Sequence, residues 1–429
     1  MVFSMSFYKK NNMIPWLVWL LGASFYFYEN LLQVSPGVMT KDLMNYFFID
    51  ESKLSVLASF YFYAYAFIQI PAGILIDNYK IRNILLFAIS LCVSGCFLFL
   101  VSTNIYYAYF GRFFIGLGSG FAAISTMKLA TTWFPSKKFP LLVGLMVTLG
   151  MTGSIVGEGP LSLLVDIVGW QRSILFLSLF GIILFVLVAF IVKEKETSAL
   201  KTKKQRNSEI LNGAKEVVFC KKSWLLAMYA GLMFAPTVIF GGLWGVPFLT
   251  EFYIIQKTVA ASIVSFLFLG WVVGSPVTGF LATFLNKNQV MLYGTLGALV
   301  NILLILYHQF SSLVTLSFCL FLFGFFSSCF LPAFSLIKDI HKPQNSGVVL
   351  GFMNTANTLG GALGLSLIGF LFNVKLEYWL NFDVSMSLNY QIILTVLPLM
   401  MLFSLGLVFF LSKKGKNQAS ALLSLFGNT

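Results

Sequence analysis

The chain has 429 residues, of which 58% are apolar, only 10% are charged and 47 are Phe. No water-soluble core of this size could take up so much apolar surface, so lipid must be the solvent for most of the chain. The formal net charge of +13 raises the question of a nucleic acid or other acidic partner, and the positions of the basic residues answer it.

Twelve apolar runs are long enough to cross a bilayer as helices, which takes about 20 residues for a hydrocarbon core of roughly 30 Å. The sequence therefore predicts an all-α integral membrane protein with 12 transmembrane helices. We label these helices α1 to α12 in chain order, and their predicted spans are 14–35, 54–77, 83–102, 105–130, 139–165, 171–192, 224–250, 258–284, 289–308, 312–338, 347–373 and 391–411.

A polar, charged stretch between α6 and α7 divides the chain into two groups of six helices. It is much longer than the neighbouring loops on the same side of the membrane, and its charge keeps it out of the bilayer. We therefore predict one six-helix bundle over residues 1–192, a cytoplasmic linker loop over 193–223 and a second six-helix bundle over 224–429.

A weak internal repeat relates the two groups. Segment 142–157 of α5 aligns with 349–364 of α11 with three glycines in register, and the α2 segment that begins at Ser59 aligns with the α8 segment that begins at Ser265. Because six helices separate the copies, each copy crosses the membrane in the same direction. The halves are therefore parallel repeats related by an axis along the membrane normal, an arrangement found in secondary transporters.

Lys and Arg residues fall mainly in alternate loops. If the N-terminus is cytoplasmic, the cytoplasmic side carries twenty of them, including nine between Lys193 and Lys222, and the opposite side carries five. Such a bias orients membrane proteins with their positive loops inside. We therefore predict a multi-pass protein of the bacterial inner membrane with both termini cytoplasmic, and the charge requires no nucleic acid partner.

Two charged residues inside predicted helices are the first candidates for function. Glu29 on α1 and Arg112 on α4 lie at similar depth, and a charge at a helix centre costs about 2.5 to 3.5 kcal/mol unless it has a partner or faces water. We predict that they face each other, with Tyr26 and Gln33 on the Glu29 face of α1 by three- and four-residue spacing. A static structural pair is the alternative.

This pair predicts a mechanism of proton coupling. If an anionic group of the substrate binds Arg112, Glu29 is released to bind a proton, and substrate and proton cross together. Glu158, which follows a series of glycines in α5, is a second candidate for proton binding. A solvated residue at the rim of the bundle is the alternative reading of Glu158.

Other helices carry residues suited to a substrate site or a gate. In α7, prolines and glycines surround Trp244, and interrupted helices mark sites or gates in transporters. Asn354 and Asn357 place two amides on one face of α11, where they would bind a polar solute or make interhelical hydrogen bonds. In α2, Tyr65 belongs to a stripe with Tyr61 that would line the same cavity or pack against neighbouring helices.

The loop after α2 resembles the signature loop of the major facilitator superfamily, which it matches at Gly73, Leu75, Asp77 and Arg82. The chain has Lys80 where the family usually has glycine. The first part of α4, an arginine followed by small residues, resembles a second motif of that family. The resemblance implies that Gly73, Asp77 and Arg82 form a gating motif, with Asp77 against the start of α11.

Three segments of α1 and α2, TyrPheTyrGlu at 26–29, ValSerPro at 34–36 and GlnIlePro at 69–71, resemble permeases of intracellular gammaproteobacteria, including phagosomal nutrient transporters. That resemblance implies import of amino acids. We therefore predict a secondary active transporter that imports a small polar metabolite, an amino acid, by proton symport with alternating access. The alternatives are a permease for organic anions or sugar phosphates and an exporter of drugs or metabolites by proton antiport.

We predict that the chain is not an enzyme, because no loop offers a nucleophile with a base, a metal cluster or a phosphate-binding glycine loop. No cofactor and no metal ion are expected. The expected partners are a small-molecule substrate, protons and the lipid bilayer, and the protein is expected to be a monomer.

Overall fold

The computed structural model describes residues 13–135, 138–192, 215–342, 346–374 and 386–426, and over these residues the chain is helical without strands. Residues 193–214 of the predicted linker lie outside this range. The side chain of Asp77, which the sequence places in the gating motif, also lies outside the described residues.

The first six long helices match the predicted spans to within a few residues. They are α1 (Met13–Val34), α2 (Glu51–Asn78), α3 (Ile81–Val101), α4 (Ile105–Ser119 and Ala122–Trp133), α5 (Phe139–Val168) and α6 (Trp170–Ile191). Two short segments, a 3-10 turn Ser35–Val38 and a helix Thr40–Phe47, connect α1 to α2.

The second six helices follow in the same way, although three of them have more than one section. They are α7 (Lys221–Pro236, Thr237–Trp244 and Gly245–Phe252), α8 (Lys257–Phe284), α9 (Lys287–Tyr307), α10 (Leu313–Ser327, Ser328–Phe330 and Pro332–Ile340), α11 (Ser346–Asn373) and α12 (Met386–Leu394 and Val396–Phe426). Only the extent of α12 differs clearly from its prediction, because the helix continues beyond the apolar run into a polar tail.

Ten of these helices are long and apolar enough to cross a membrane, counted over the described part of the chain. The remaining two, α1 and α2, have 22 and 28 residues and pack within the same bundle. The prediction of an all-α membrane protein with twelve transmembrane helices is therefore confirmed. Helices are the expected solution, since each one satisfies its own backbone hydrogen bonds in lipid.

Polar side chains set several helix starts. The Asp50 carboxylate accepts a hydrogen bond from the backbone N–H of Lys53 at the start of α2, and the Asn104 side chain accepts one from Tyr106 N–H at the start of α4. Asn286 caps α9 in the same way. Each cap satisfies one of the four backbone donors that a helix leaves free at its first turn.

Close glycine contacts hold the helices of each half together, and the same contact occurs in both halves. Gly116 of α4 lies against the Tyr61 carbonyl of α2, and Gly324 of α10 lies against the Leu267 carbonyl of α8. A Cβ at either glycine would overlap the neighbouring backbone. Small residues let membrane helices approach this closely, so the packing follows the repeat found in the sequence.

The two halves meet chiefly through α2 against α11 and α5 against α8. Near one end of the α2–α11 contact, Asn373 Nδ2 donates a hydrogen bond to Ser52 Oγ at 2.8 Å, and the hydroxyls of Tyr63 and Ser366 share a hydrogen bond of 2.8 Å. These direct hydrogen bonds hold the two halves together near the start of α2 and the end of α11.

Ion pairs between the halves lie at that same end. Lys41 Nζ is 2.6 Å from Glu251 Oε1, and Lys257 Nζ is 2.6 Å from Asp166 Oδ1 and 3.6 Å from Asp42 Oδ2. Each of these pairs joins a residue of α1–α6 or its connections to a residue of α7 or α8. We call this end, marked by Lys41, Glu251 and Lys257, the closed end.

At the opposite ends of the same four helices, the described residues leave free space beside four glycines. Gly73 of α2, Gly144 of α5, Gly279 of α8 and Gly351 of α11 each have room for a side chain, with no described atom within 4 Å of the Cβ position. We call this end, marked by these four glycines, the open end. Hydrogen bonds and ion pairs therefore join the halves at the closed end, whereas the described residues of the open end leave free space at these four glycines.

Candidate functional site

Glu29 lies inside the first half and is only 2% exposed. Its Oε2 accepts a hydrogen bond of 2.5 Å from the Tyr61 hydroxyl of α2, and its Oε1 accepts one of 3.1 Å from the Asn30 amide. Both donors are neutral. The carboxyl group is therefore hydrogen-bonded but has no positive charge in direct contact.

Arg112 is equally buried, and its guanidinium binds the end of α1. Its Nη1 donates to the Leu32 carbonyl at 2.8 Å and its Nη2 donates to the Gln33 carbonyl at 3.2 Å. The last carbonyls of a helix have no intrahelical donors and carry partial negative charge, which explains why they attract a buried arginine. Nε of Arg112 has no hydrogen-bond partner among the described atoms.

Glu29 and Arg112 do not form a direct ion pair, because no N–O distance of 4.0 Å or less joins them among the described residues. Tyr61 stands between them. Its hydroxyl binds Glu29, and its ring centroid lies 4.9 Å from the guanidinium carbon of Arg112 in a cation–π contact. A sequence shows that both charges lie at similar depth, but it does not show which side chain fills the space between them.

Tyr61 is the central residue that the sequence did not single out as a site. The available signal was its position in the α2 stripe, four residues before Tyr65. Tyr65 lies close enough to Glu29, Tyr26 and Asn354 for electrostatic interaction. The stripe therefore connects the charged cluster of the first half to α11 of the second half.

The other predicted binding residues take up different positions around this cluster. Tyr26 packs closely against Gly150 of α5, and Gln33 contributes its backbone carbonyl to Arg112 while its side chain is half-buried. Asn354 is half-buried, whereas Asn357 is buried with an Oδ1 that has no hydrogen-bond partner among the described atoms. The interhelical hydrogen bond that was the alternative role is therefore absent for that oxygen.

Trp244 lies at the closed end, fully buried. Its Nε1 donates to Ser55 Oγ in the other half at 3.2 Å, and its ring contacts Phe372 and Tyr390, with centroid distances of 4.7 and 5.9 Å. The surrounding segment Thr237–Trp244 is π-helical, so the prolines and glycines of α7 widen the helix and do not interrupt it. Single π-helical turns within α-helices are often found at functional sites.

Glu158 is completely buried, and neither of its carboxyl oxygens has a hydrogen-bond partner among the described atoms. It lies where α5 meets the 3-10 turn after α1 and the π-helical part of α7: a Cβ placed on Gly37 would be 3.5 Å from Glu158 Oε1 and 3.1 Å from the Gly242 carbonyl oxygen. The alternative reading of Glu158 as a solvated rim residue is therefore wrong. The 3-10 turn after α1 and helix α8 of the other half pack against α5 around it.

Two residues of the predicted gating motif can be placed. Gly73 lies at the open end with free space around it, and Arg82 Nη2 donates to the Ala189 carbonyl of α6 at 2.5 Å. Arg82 therefore connects α3 to α6 within the first half. Among the described residues, no group of three His, Cys, Asp or Glu side chains is placed to hold a metal ion.

Comparisons with known proteins agree with this architecture. A sequence profile described as Major Facilitator Superfamily matches residues 16–365 and 239–422. Lysosomal dipeptide transporter MFSD1 of Homo sapiens is 22% identical over 401 residues, which cover 87% of this chain and 83% of that protein. Probable anion transporter 5 of Arabidopsis thaliana is 23% identical over 86% of this chain and 89% of its own length.

A solved structure has the same fold. It is a bacterial homolog to the human lysosomal transporter Spinster in an inward-facing and unoccupied conformation, with a TM-score of 0.75 at 14% identity, over 94% of this chain and 98% of that chain. The profile match covers nearly all of the sequence, including all twelve long helices, of which ten are candidate membrane spans by length and composition. The chain therefore belongs to the Major Facilitator Superfamily and is a multi-pass membrane transporter, not an enzyme.

Proposed function

We propose that this transporter imports an amino acid or a short peptide together with a proton, by alternating access of a central site to the two sides of the membrane. The observation that carries the proposal is the buried cluster in which Tyr61 separates the carboxyl of Glu29 from the guanidinium of Arg112. Two buried charges that are not paired with each other leave each one free to bind a separate ligand.

Glu29 is suited to a proton. A buried carboxylate with only neutral hydrogen-bond donors is costly, and binding a proton removes that cost. Both donors to Glu29, Tyr61 and Asn30, remain compatible with a protonated carboxyl, because each carboxyl oxygen keeps one of them.

Arg112 is suited to the carboxylate of a substrate. Its two donated hydrogen bonds go to main-chain carbonyls of α1, and its Nε–H is free among the described atoms. A carboxylate accepts two parallel hydrogen bonds from a guanidinium and forms a stronger, charge-assisted contact than neutral carbonyls do. A substrate carboxylate can therefore replace the α1 carbonyls as the partner of Arg112.

The two ligands are coupled through Tyr61. When a substrate carboxylate neutralises Arg112, the positive charge on the far side of Tyr61 is cancelled, which favours the neutral form of Glu29. Uptake of a proton by Glu29 then leaves the cluster without net charge. A neutral cluster costs less free energy to enclose away from water during the transport cycle than a charged one.

The remaining polar groups around the cluster favour a zwitterion over a simple anion. Asn354 and Asn357 of α11 supply amide oxygens, and the Asn357 Oδ1 is free to accept a hydrogen bond from an ammonium or peptide N–H. Among relatives, MFSD1 is named as a lysosomal dipeptide transporter, which supports this class. The resemblance of the α1 and α2 segments to amino-acid permeases of intracellular gammaproteobacteria supports it as well.

An organic anion is the second candidate substrate. A buried arginine and the relative named Probable anion transporter 5 favour it. Matched compounds with and without an ammonium group separate the two classes, because only the amino-acid class gains from the amides of α11. An exporter that uses proton antiport would move the same compounds in the opposite direction.

Uptake into proteoliposomes tests the proposed function. The probes are labelled amino acids, dipeptides and dicarboxylates, offered with an inward proton gradient and with a protonophore. We expect accumulation that the protonophore abolishes. Glu29→Gln should abolish accumulation and retain exchange of labelled for unlabelled substrate, whereas Glu51→Gln at the start of α2 should behave as the parent. Unchanged, pH-dependent accumulation by Glu29→Gln would refute proton coupling at this residue.

We further propose that the protein lies in a bacterial inner membrane as a monomer, with both termini and the open end facing the cytoplasm. The excess of Lys and Arg in the loops of that side supports this orientation. The open end then faces inward, and the closed end with its ion pairs faces outward.

Cys220, just before α7 at the open end, tests the orientation. Burial raises the pKa of its thiol, but hydrogen bonds with the Ser223 side chain and with the backbone around Lys222 lower it by more, so the pKa is below its ordinary value. The reactive thiolate is therefore enriched near neutral pH, and the other four cysteines are buried. A membrane-impermeant maleimide should label inside-out vesicles and leave intact spheroplasts unlabelled; the reverse pattern would invert the orientation.

A further inference from the structure

Glu158 is a buried carboxyl group that the proposed function does not use. It lies in α5 at the closed end, where α5 contacts α8 of the other half: the adjacent Gly159 N–H donates to Ser265 Oγ at 3.2 Å. Gly37 of the 3-10 turn after α1 lies on another side, and Gly37 in turn lies against the Gly242 carbonyl in the π-helical part of α7. The carboxyl group is therefore enclosed by elements from both halves of the protein.

Among the residues that the structure describes, no charged group pairs with Glu158. The 3-10 turn Ser35–Val38 and the π-helical Thr237–Trp244 contain no ionisable residue. The charged residues elsewhere on the surrounding elements already bind other groups: Glu29 binds Tyr61 and Asn30, and the closed-end residues pair with one another as Lys41 with Glu251 and Lys257 with Asp42 and Asp166. Burial is the one influence on Glu158 that the structure shows.

Elements of both halves enclose Glu158. Gly37 of the first half lies beside the carboxyl and against α7 of the second half, since a Cβ on Gly37 would be 3.5 Å from Glu158 Oε1 and 3.1 Å from the Gly242 carbonyl oxygen. The Glu158 carboxyl itself has no exposed surface. If the halves separate at this end, as alternating access requires, α7 and α8 move away from α5 and the 3-10 turn, and the Glu158 carboxyl faces water.

We propose that Glu158 is a proton-binding residue that controls the closed end: its carboxyl is ionised and hydrated when this end is open, and the halves close over it only after it has bound a proton. An ionised carboxylate without a partner in a dry interface is strongly unfavourable, whereas the neutral acid is tolerated. The proton bound at Glu158 therefore stabilises the conformation seen here. This inference takes only alternating access from the proposed function, and it requires no particular substrate.

Proton linkage gives the expected size of the effect. Wherever the closed conformation binds one more proton than the open one, the ratio of closed to open molecules rises about tenfold for each unit that the pH falls. A lower pH on the side that the closed end faces would therefore promote closure after loading. The effect is separate from the proton proposed to accompany substrate at Glu29, because it is present without substrate.

Distance measurements between the halves test the proposal in the full-length protein. Nitroxide labels on cysteines introduced at Asn45 and Gln309, two exposed residues of the closed end in different halves, report its opening. In a parent with Cys220 replaced by Ala, without substrate, we expect the short-distance fraction to rise as the pH falls from about 8 to about 5. Glu158→Gln, which imitates the protonated acid, should remain closed over the whole range.

Three controls make the test specific. Ser162→Ala removes another buried polar group one turn further along α5 and should retain the parent pH response. Glu158→Asp keeps a carboxyl group and should therefore also retain a pH response. Elution as a single peak on size exclusion identifies the variants that are folded. Glu29→Gln should lose proton-driven uptake and keep the pH-dependent distance change. The role proposed for Glu158 can therefore be tested separately from the role proposed for Glu29.

Two outcomes would overturn the proposal. One is a Glu158→Gln protein whose distance distribution changes with pH as the parent does. The other is a closed end that responds to replacement of sodium by choline at constant pH and not to pH, because the ligand of Glu158 would then be a metal cation.

Discussion

The two halves of the transporter share a helical framework but differ in where buried charge lies. Glu29, Arg112 and Glu158 are all in α1–α6, and among the described residues of α7–α12 no Asp, Glu, Lys or Arg is buried. The internal repeat makes the contrast direct: in the register that aligns α5 with α11, Glu158 corresponds to Leu365, which is buried in the same way. The shared framework thus tolerates a charge at this position but does not require one.

The second half carries a different specialisation. Its π-helical segment Thr237–Trp244 packs against the 3-10 turn beside Glu158, and it contains Trp244, which donates the closed-end hydrogen bond to Ser55. Under the proposed function, the first half holds the groups that bind protons and a substrate carboxylate, and the second half supplies part of the surface that closes over them. The contrast implies that changes in the first half act on coupling and changes in the second half act on closure.

The largest expected effect tests the first part of that contrast. Arg112→Lys keeps the positive charge but cannot make the two divergent hydrogen bonds to the end of α1 or present a planar pair of donors to a carboxylate. A charge-assisted hydrogen bond contributes about 1.5 to 3 kcal/mol, so we expect uptake to fall about 10- to 150-fold.

The matched control is Arg172→Lys, at an exposed arginine near the start of α6, which should keep parental uptake. Expression at parental level should accompany both variants. If Arg112→Lys transported as the parent does, Arg112 would be a structural charge, and the division of roles between the halves would be lost.

A smaller effect is expected in the second half. Trp244→Phe keeps the ring contacts with Phe372 and Tyr390 but removes the hydrogen bond to Ser55 across the halves. One such bond contributes about 1 kcal/mol, so the ratio of closed to open molecules should fall about fivefold in the nitroxide distance measurement.

Trp271→Phe is the control for this change, since its Nε1 donates to Thr237 Oγ1 within the same half, at 3.3 Å. It should alter stability without moving the closed-to-open ratio. Equal shifts for the two tryptophans would mean that Trp244 does not act through the contact between the halves.

The smallest effect is expected at the ion pairs. Lys257→Ala removes two pairs between the halves, but the Lys257 side chain is 28% exposed, and exposed pairs contribute about 0 to 1 kcal/mol. We expect at most about a fivefold shift toward the open form of the closed end, and we expect the shift to vanish in about 1 M salt.

Lys287→Ala provides the comparison, because its side chain is 27% exposed and pairs with Asp339 inside the second half. It should leave the closed-to-open ratio unchanged at any salt concentration. A salt-independent shift for Lys257→Ala would indicate that its contribution is packing of the side chain and not its charge.

Transmembrane helices were the part of the structure most readily predicted. An apolar run of about 20 residues has few alternatives in lipid, because only a helix satisfies its own backbone there. The spans of α1 to α11 consequently match the structure to within a few residues, and the parallel repeat in the sequence reappears as the matched contacts of Gly116 and Gly324. The polar continuation of α12 to Phe426 carries no such signal and was missed.

The candidate site was predicted only in part. The cost of a charge in lipid identifies Glu29 and Arg112 from the sequence alone, and helical spacing places Tyr26 and Gln33 near them. Neither rule reveals that Tyr61 fills the space between the two charges. Side chains from separate helices meet there, and their contact depends on the rotation and tilt of each helix.

By itself the sequence determined that this protein is a twelve-helix membrane protein built from a parallel repeat, and which of its residues carry charge into the membrane, because both follow from local hydrophobicity and spacing. Only the tertiary structure decided that Arg112 binds the end of α1, that Glu158 is enclosed between the halves and that α7 widens into a π-helix around Trp244. These features depend on close packing between helices distant in the chain, and the periodicity of one helix contains no information about its neighbours.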